Sequence, residues 1–294
     1  MIFVAGSANL DFVVRAPHIP APGETVLGFD FKTFAGGKGA NQAIACARAG
    51  GAATEMLLAL GDDAFARPLE DSLRLADVRM HIKRVDQPTG TAFICVSDDA
   101  ENAITVAPGA NQALRPSDLP ALGGCSHLLM QLEIPLKAVV AYAQAARAQG
   151  VKVVLNAAPA QFLGSEVLAL IDILIVNEGE LAAISGPAGG VEQQLSRVQV
   201  PCVIVTLGSQ GALARVEGSP IRQSAFPASP VDTTGAGDTF CGVLVAALAH
   251  GQTVAQAMRQ ACAAGALACT RPGAQSSIPT QLELEQFLKD QSPS

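Results

Sequence analysis

Tryptophan is absent from these 294 residues, tyrosine occurs once, and aromatic residues together supply only 4% of the chain. A core built on stacked rings is therefore excluded, and aliphatic and alanine side chains must close the interior. Charged residues are also scarce, at 15% against 49% hydrophobic, a balance too apolar for a disordered chain. No Lys/Arg stripe occurs and the net charge is −7. That excludes the electrostatic footprint of a nucleic-acid binder and leaves any bound polyphosphate to be held by local groups. Cys46, Cys95, Cys125, Cys202, Cys241, Cys262 and Cys269 form no CxxC pair and sit mostly in apolar runs. They read as reduced core thiols of a cytoplasmic protein. His18, His81, His127 and His250 lack metal-ligand spacing and are assigned to surface or packing. No apolar run is long enough to span a bilayer, and MIFVAGSANLD has no charged region of a signal peptide, so neither a membrane partner nor export is expected. Low-complexity linkers and solenoid repeats are missing as well.

What the chain does contain is an alternation. Short aliphatic runs recur at 2–5, 56–60, 128–130, 151–155, 173–176 and 203–207, each followed by a Gly- or Asn-containing turn. Runs without polar alternation fit strands buried on both faces of a parallel sheet. Ala-rich stretches of helical spacing lie between them, such as LKAVVAYAQAARAQ at 136–149, closed by Gly150. Strand–helix alternation over this length predicts an α/β fold, a doubly wound and mostly parallel sheet flanked by helices. Two segments break the rhythm. In 24–34, Leu27, Phe29 and Phe31 alternate as in a strand with one apolar face, and 89–97 with 104–106 read as a hairpin across DDAEN. They predict a small β appendage whose apolar face is covered by substrate or by a second copy of the chain.

Ligands of open α/β sheets bind beyond the carboxyl ends of the strands. Polar residues collect there: Asn9 and Asp11, Gly61-Asp62-Asp63, Glu133, Asn156, Asn177 with Glu180, and Thr206-Leu207-Gly208. The sharpest motif is VDTTGAGDTFCG at 231–242. Gly235 and Gly237 allow close backbone approach, successive amides can form an anion-holding nest, and Asp238 falls in the first turn of the following helix. A carboxylate beside an anion hole suits removal of a proton from a hydroxyl attacking phosphorus; an ordinary helix-start acid is the alternative. The second motif, AGGKGANQA at 35–43, is no Walker A loop, because Gly39 follows Lys38 and no Ser or Thr is available for magnesium. Its glycines allow backbone amides to approach a polyhydroxylated ligand, with Asn41 reading a hydroxyl; a plain Gly-rich turn with a solvated lysine remains the other reading. No GxGxxG follows the first strand, which argues against a dinucleotide-dependent oxidoreductase.

With GSANLD at 6–11, GDD at 61–63, MQLE at 130–133, NAAPA at 156–160, NEGE at 177–180 and RPGAQSSIP at 271–279, these two motifs resemble the ribokinase-like (PfkB) family of carbohydrate kinases over nearly the whole chain. The resemblance implies transfer of a phosphoryl group from ATP to a sugar hydroxyl, first of all that of D-ribose, with Mg²⁺ and K⁺. Another sugar or a nucleoside is the runner-up acceptor. A non-catalytic sensor on the same fold is opposed by the retention of Asp238 together with Gly235 and Gly237 before it. Carried over, Asp238 would be the base, and the amides of Gly235, Ala236 and Gly237 would stabilise charge on the transferring group. Asn9, Asp11, Gly37, Lys38, Asn41 and Glu133 would line the sugar pocket. Asn177 and Glu180 would help hold Mg²⁺, and Thr206, Gly208 and Gly211 would border the nucleotide. Asp232, Thr234, Ala268, Arg271, Gly273 and Ser277 match the K⁺ loop, although an ordinary turn at RPGAQSS would carry the same residues. The implied architecture is a main domain of residues 1–10, 36–87 and 108–294 with a β-sheet lid of residues 11–35 and 88–107, through which two copies pair as a homodimer.

Overall fold

In the computed structural model, which describes residues 1–99 and 101–291, the aliphatic runs lie side by side in one nine-stranded sheet. Ala100, in the expected DDAEN turn, and 292–294, at the end of the expected main domain, lie outside the described residues. From the N-terminus, β1 (Ile2–Ala5) is followed by β2 (Asn9–Ala16), β3 (Phe29–Gly36), α1 (Lys38–Ile44), β4 (Thr54–Gly61), α2 (Ala66–Leu75) and β5 (Arg79–Val85). The hairpin β6 (Gly90–Ser97) and β7 (Asn102–Ala107) precedes β8 (His127–Met130), α3 (Leu136–Ala148), β9 (Lys152–Asn156), α4 (Ser165–Leu168) and β10 (Ile173–Asn177). The chain then runs through α5 (Glu178–Ser185), α6 (Val191–Arg197), β11 (Cys202–Thr206) and the hairpin β12 (Ala212–Val216) and β13 (Ser219–Gln223). It closes with α7 (Ala236–Ala249), α8 (Val254–Ala268) and α9 (Gln281–Asp290).

The large sheet has the order β13-β12-β11-β10-β9-β8-β1-β4-β5, parallel from β5 through β11 and antiparallel only at β12 and β13. Alternate residues of each strand feed two separate cores. Ile2 and Val4 of β1 pack with Met56, Leu58 and Leu129 on the α1/α7/α8 side, while Phe3 and Ala5 pack with Leu57, Leu128 and Met130 on the α3 side. Burial on both faces is why these strands carry no polar alternation. The chain winds from β1 outward to β4 and β5, then restarts at β8 and winds the other way. The reversal opens a crevice at the carboxyl ends of β1 and β8, where ligands of such sheets sit. Among the described residues no helix is long and apolar enough to cross a membrane.

A second sheet, β3-β2-β6-β7, stands apart from the first. β2 pairs antiparallel with β3 and parallel with β6, and β6 pairs antiparallel with β7. Phe12 holds its centre, stacked between Phe31 and Phe93 at centroid distances of 6.1 and 5.3 Å, with the edge of Phe65 at 5.4 Å tying the sheet to the start of α2. Phe31 and Phe93 remain 62% and 54% exposed. Leu27, expected to continue the alternation of Phe29 and Phe31, instead precedes β3 and is 89% exposed. The register shifts between Val13 and Arg15, and the ladder then ends on the Arg15–Phe29 pair.

Candidate active site

The site is organised by the start of α7. Gly235 caps that helix in the left-handed conformation, φ 74° and ψ 0°, which glycine alone adopts without strain. A Cβ added to it would lie 2.9 Å from Ala274 Cα, whereas one on Gly237 would meet nothing within 4 Å. Gly235 is thus required by the close approach of the 272–277 loop, and Gly237 faces open space. The first amides of a helix have no acceptor within it; that of Ala236 reaches the Thr233 carbonyl at 3.3 Å. Two residues further in, Asp238 is buried, and its carboxylate accepts two amide hydrogen bonds from α1: Asn41 Nδ2 on Oδ2 and Gln42 Nε2 on Oδ1, each 2.9 Å.

On one side of Asp238 lies a polar group drawn from the crevice. Ser7 Oγ donates to Glu133 Oε2 at 2.5 Å, and the backbone amide of Lys38 donates to the same oxygen at 3.1 Å. Asn9 Oδ1 accepts from Asn111 Nδ2 at 2.7 Å, while Asn111 is clamped by the backbone of Ala8. The amide of Asn9 is therefore left with its NH₂ as the outward donor. Gly37, at φ 90°, passes so close to Ala8 and Asn9 that a Cβ would lie 2.7 Å from their backbone, and a Cβ on Gly36 would collide with the Asp11 carboxylate. Asn41 Oδ1 is buried with no hydrogen-bond partner. Such an atom costs stability until a donor reaches it.

Burial, followed by the negative charges of Glu133 and Asp238, pushes the Asp11 carboxyl up to about 7. A folded-state value above the ordinary 3.8 means that the folded chain holds a proton the unfolded chain has released. Stability contributed by this group is therefore lost as pH rises from about 4 to about 7. Asp11→Asn is expected to raise the Tm of the ligand-free protein by a few degrees at pH 8, with the gain shrinking toward pH 4. Thermal unfolding across that range checks it; a gain that grows toward acid would reverse the sign.

On the other side of Asp238 a pocket of about 240 Å³ is lined by Lys38, Asn177, Glu180, Thr206, Gly237 and Asp238. It shares Thr206, Thr233 and Gly237 with an adjoining pocket of about 460 Å³ lined by Gly208, Gly211, Phe226, Phe240 and Gly265. The two form a continuous cleft, narrow and polar at Asp238 and apolar further out. Lys38 lines this cleft, and its backbone amide bonds Glu133 on the crevice side. Its ammonium is held above the usual lysine range, chiefly by Asp238 and then, against burial, by Glu133 and Glu180. Asn177 and Glu180 lock each other at the N-terminus of α5 through reciprocal 2.8 Å bonds between side chain and backbone. Burial raises the Glu180 carboxyl despite the Asn177 amide.

Beneath Gly235, Asp232 joins two loops. Its Oδ1 accepts the Thr234 amide at 2.9 Å and its Oδ2 the Gly273 amide at 2.8 Å. Burial would raise this carboxyl, but hydrogen bonds from Thr234 and Gly273 outweigh it and hold it below the usual range. The Arg271 guanidinium turns away to Glu283 at 2.7 Å, so only its backbone faces the loop. Ser277 Oγ donates to Ala274 O at 2.8 Å, and Ala268 O receives the Arg271 amide at 3.2 Å.

Comparison with known proteins decides the family. Residues 1–281 match the pfkB family of carbohydrate kinases. The chain belongs to that family. Ribokinase of Haemophilus influenzae is 40% identical over 301 residues, covering 97% of each chain, and ribokinase of Bacillus subtilis is 35% identical over 293 residues, covering 98% of this chain and 99% of its own. In structure, ribokinase from Thermotoga maritima superposes with a TM-score of 0.90 at 35% identity, over 98% of this chain and 99% of its own. Arabidopsis thaliana ribokinase, solved with ribose and ATP, superposes with a TM-score of 0.88 at 33% identity over 98% of both chains. As a pfkB-family member the chain is a phosphotransferase with an alcohol group as acceptor.

Within this pfkB-family cleft the sequence-derived residues fall into three groups: Asn9, Asp11, Gly37, Asn41 and Glu133 around the crevice, Asn177, Glu180, Thr206, Gly208 and Gly211 along the cleft, and the Asp232–Ser277 set beneath the α7 start. Lys38 bridges the first two groups. Sequence reasoning passed over Ser7, Asn111, Gln42 and Gln131, which touch the site only through other side chains. It also passed over the apolar cleft wall of Phe226, Phe240 and Gly265. Gln42 and Gln131 lie inside quoted motifs, so their place was visible although their partners were not.

Proposed function

We propose that the chain transfers the γ-phosphoryl group of ATP to the O5 hydroxyl of D-ribose, giving D-ribose 5-phosphate and ADP, with Asp238 as the base. One observation carries this reading: the buried Asp238 carboxylate, held by two amide donors, stands between a hydroxyl-binding crevice and a polar cleft that ends on glycine amides. Sugar hydroxyls meet acceptors in Asp11 and Glu133, a donor in Asn9, and the orphaned Asn41 Oδ1. As the acceptor oxygen bonds to phosphorus, its proton passes to Asp238 and the bond to the ADP oxygen breaks. The amides of Gly235, Ala236 and Gly237, with Lys38, face the charge that spreads over the transferring group, an electrostatic and positioning role. The names of the relatives support the acceptor, since Haemophilus influenzae, Schizosaccharomyces pombe and Arabidopsis thaliana proteins similar to this chain are ribokinases.

Mg²⁺ would be held by Glu180 with Asn177 through water, neutralising phosphate charge. Among the described residues no group of three acids, His or Cys could bind a metal, which fits Mg²⁺, an ion usually held by one or two carboxylates and substrate phosphates. For K⁺, Asp232 and the carbonyls of Thr234, Ala268, Arg271 and Gly273, with Ser277, would supply the oxygens, and the support is Asp232, held below the usual carboxylate range while it ties Thr234 to Gly273. Residues 11–35 and 88–107 act as the lid over the crevice. Their exposed Phe29, Phe31 and Phe93 would be covered by the lid of a second copy in a cytoplasmic homodimer.

A panel of D-ribose, 2-deoxyribose, fructose and adenosine, assayed for ADP release, tests the acceptor. A deoxyribokinase of Salmonella typhi, 32% identical over 301 residues, makes deoxyribose the sharpest competitor. Ribose should exceed deoxyribose in kcat/KM by about a hundredfold or more, because a missing hydroxyl leaves buried polar groups unpaired. Preference for deoxyribose or a nucleoside would replace the substrate and leave the kinase reading intact.

A further inference from the structure

We infer that Gln42 is a positioning residue for phosphoryl transfer, its side-chain amide fixing the orientation of the Asp238 carboxylate, and that Gln131 fixes that amide in turn. The inference rests on Asp238 being the base. Gln42 is fully buried on α1, so no ligand reaches it. Its Nε2 donates to Asp238 Oδ1 and to Asn156 Oδ1, both at 2.9 Å, which uses both of its hydrogens. Its Oε1 accepts from Gln131 Nε2 at 2.6 Å. Asn156 is itself fixed, its Nδ2 donating to the Ile175 carbonyl at 3.1 Å.

This arrangement allows one amide orientation. A flipped Gln42 would set Oε1 against the oxygens of Asp238 and Asn156, while Gln131, whose Oε1 has no hydrogen-bond partner, could turn with it and keep their mutual bond. Two repulsive contacts would replace two hydrogen bonds. Gln131 follows β8, Asn156 ends β9 and Ile175 lies in β10, so three strands of the sheet set the direction from which Asp238 Oδ1 is held. Asn41 holds the other oxygen from the neighbouring position of α1. Rotation of the carboxylate about its last bond is thereby blocked from two sides, and its remaining lone pairs keep a constant direction. A proton acceptor is effective only within hydrogen-bond reach and alignment of the group it serves.

Gln42→Leu, Gln131→Leu and the double variant, assayed with ribose and ATP alongside their Tm, test this. Gln42→Leu should lower kcat by about tenfold to a hundredfold, with both KM values within about threefold. Gln131→Leu should lower kcat less, and the double variant should match Gln42→Leu alone, since Gln131 acts only through Gln42. In an Asp238→Asn background, Gln42→Leu should change kcat no further. A role confined to packing predicts losses that follow Tm and add up across the cycle, and that result would overturn the inference. Normal kcat in a folded Gln42→Leu would overturn it equally. Should Gln42→Leu fail to fold, Gln131→Met, which preserves volume, must still lower kcat at constant KM, and unchanged kcat there sinks the proposal. An inactive Asp238→Asn beside a normal Gln42→Leu removes this inference alone, whereas an active Asp238→Asn removes the base assignment itself.

Discussion

Asp238→Asn is expected to lower kcat by about a thousandfold or more, while KM for sugar and for ATP moves only a few-fold. The substitution preserves shape and removes the proton acceptor. Asn41 and Gln42 both donate to this carboxylate, so an amide in its place satisfies one of them and turns its own NH₂ on the other. The cost to stability is about that of one hydrogen bond, roughly 1 kcal/mol, and the protein should remain folded. Asp238→Ala is the harsher change, since it leaves two buried amide donors without acceptors. Steady-state kinetics on both variants, with Tm as the control, separates the chemical loss from the structural one. Near-normal turnover in Asp238→Asn would remove Asp238 from the chemistry.

Gly235→Val should be nearly as damaging for a different reason. The residue stands at φ 74°, where a non-glycine costs about 1–3 kcal/mol, and its Cβ would sit 2.9 Å from Ala274 Cα and 3.0 Å from Ala274 Cβ. The start of α7 and the 272–277 loop must then separate. The amides of Gly235, Ala236 and Gly237 leave their positions on one side of the break, and Asp232, bonded to the amides of both Thr234 and Gly273, is strained on the other. Loss of a preorganised donor costs about a hundredfold to a thousandfold in kcat, and a comparable loss is expected here. KM for sugar should change less than kcat, because the loop meets the crevice indirectly, Gln275 Nε2 donating at 3.4 Å to the carbonyl of Gly36, the β3 partner of Asn9. Gly237→Ala serves as the comparison. Its Cβ meets no atom within 4 Å at a helical position, so its Tm should equal or exceed that of the parent and any loss of kcat would reflect crowding of the cleft. Equal Tm and equal kcat in Gly235→Val would contradict the role given to this turn.

Much of this architecture is legible from residue order, and the reason is burial. Strands covered on both faces must be aliphatic throughout, so β1, β4 and β8–β11 announce themselves as uninterrupted runs. The edge elements do not. β5 reads RMHIKRV, with charged side chains reaching water at the sheet margin, and the β12–β13 hairpin mixes Arg215, Pro220 and Arg222 into short strands. Edge strands carry charge and proline because they must not pair further, which erases the signal that marks their central neighbours. The site divides in the same way. Asp238, Asn9 and Glu133 stand in local patterns that have a chemical meaning on their own. Gln42, Gln131 and Asn111 acquire theirs only from partners 89 to 196 positions away, as Gln131–Gln42, Asn111–Asn9 and Gln42–Asp238. No periodicity or motif encodes such a pairing; it follows from the winding of the sheet. Lys38 combines both cases, with a backbone amide bonded to Glu133 on the crevice side and a place in the wall of the cleft.

A structure of the chain with D-ribose and a non-hydrolysable ATP analogue tests the central claim most directly. The account predicts the acceptor hydroxyl about 2.6–3.2 Å from an Asp238 carboxylate oxygen, with the terminal phosphate against the amides at 235–237 and Gln42 still bonded to Asp238. An acceptor hydroxyl bonded to Asp11 or Glu133 instead, with Asp238 out of reach of the sugar, would contradict it.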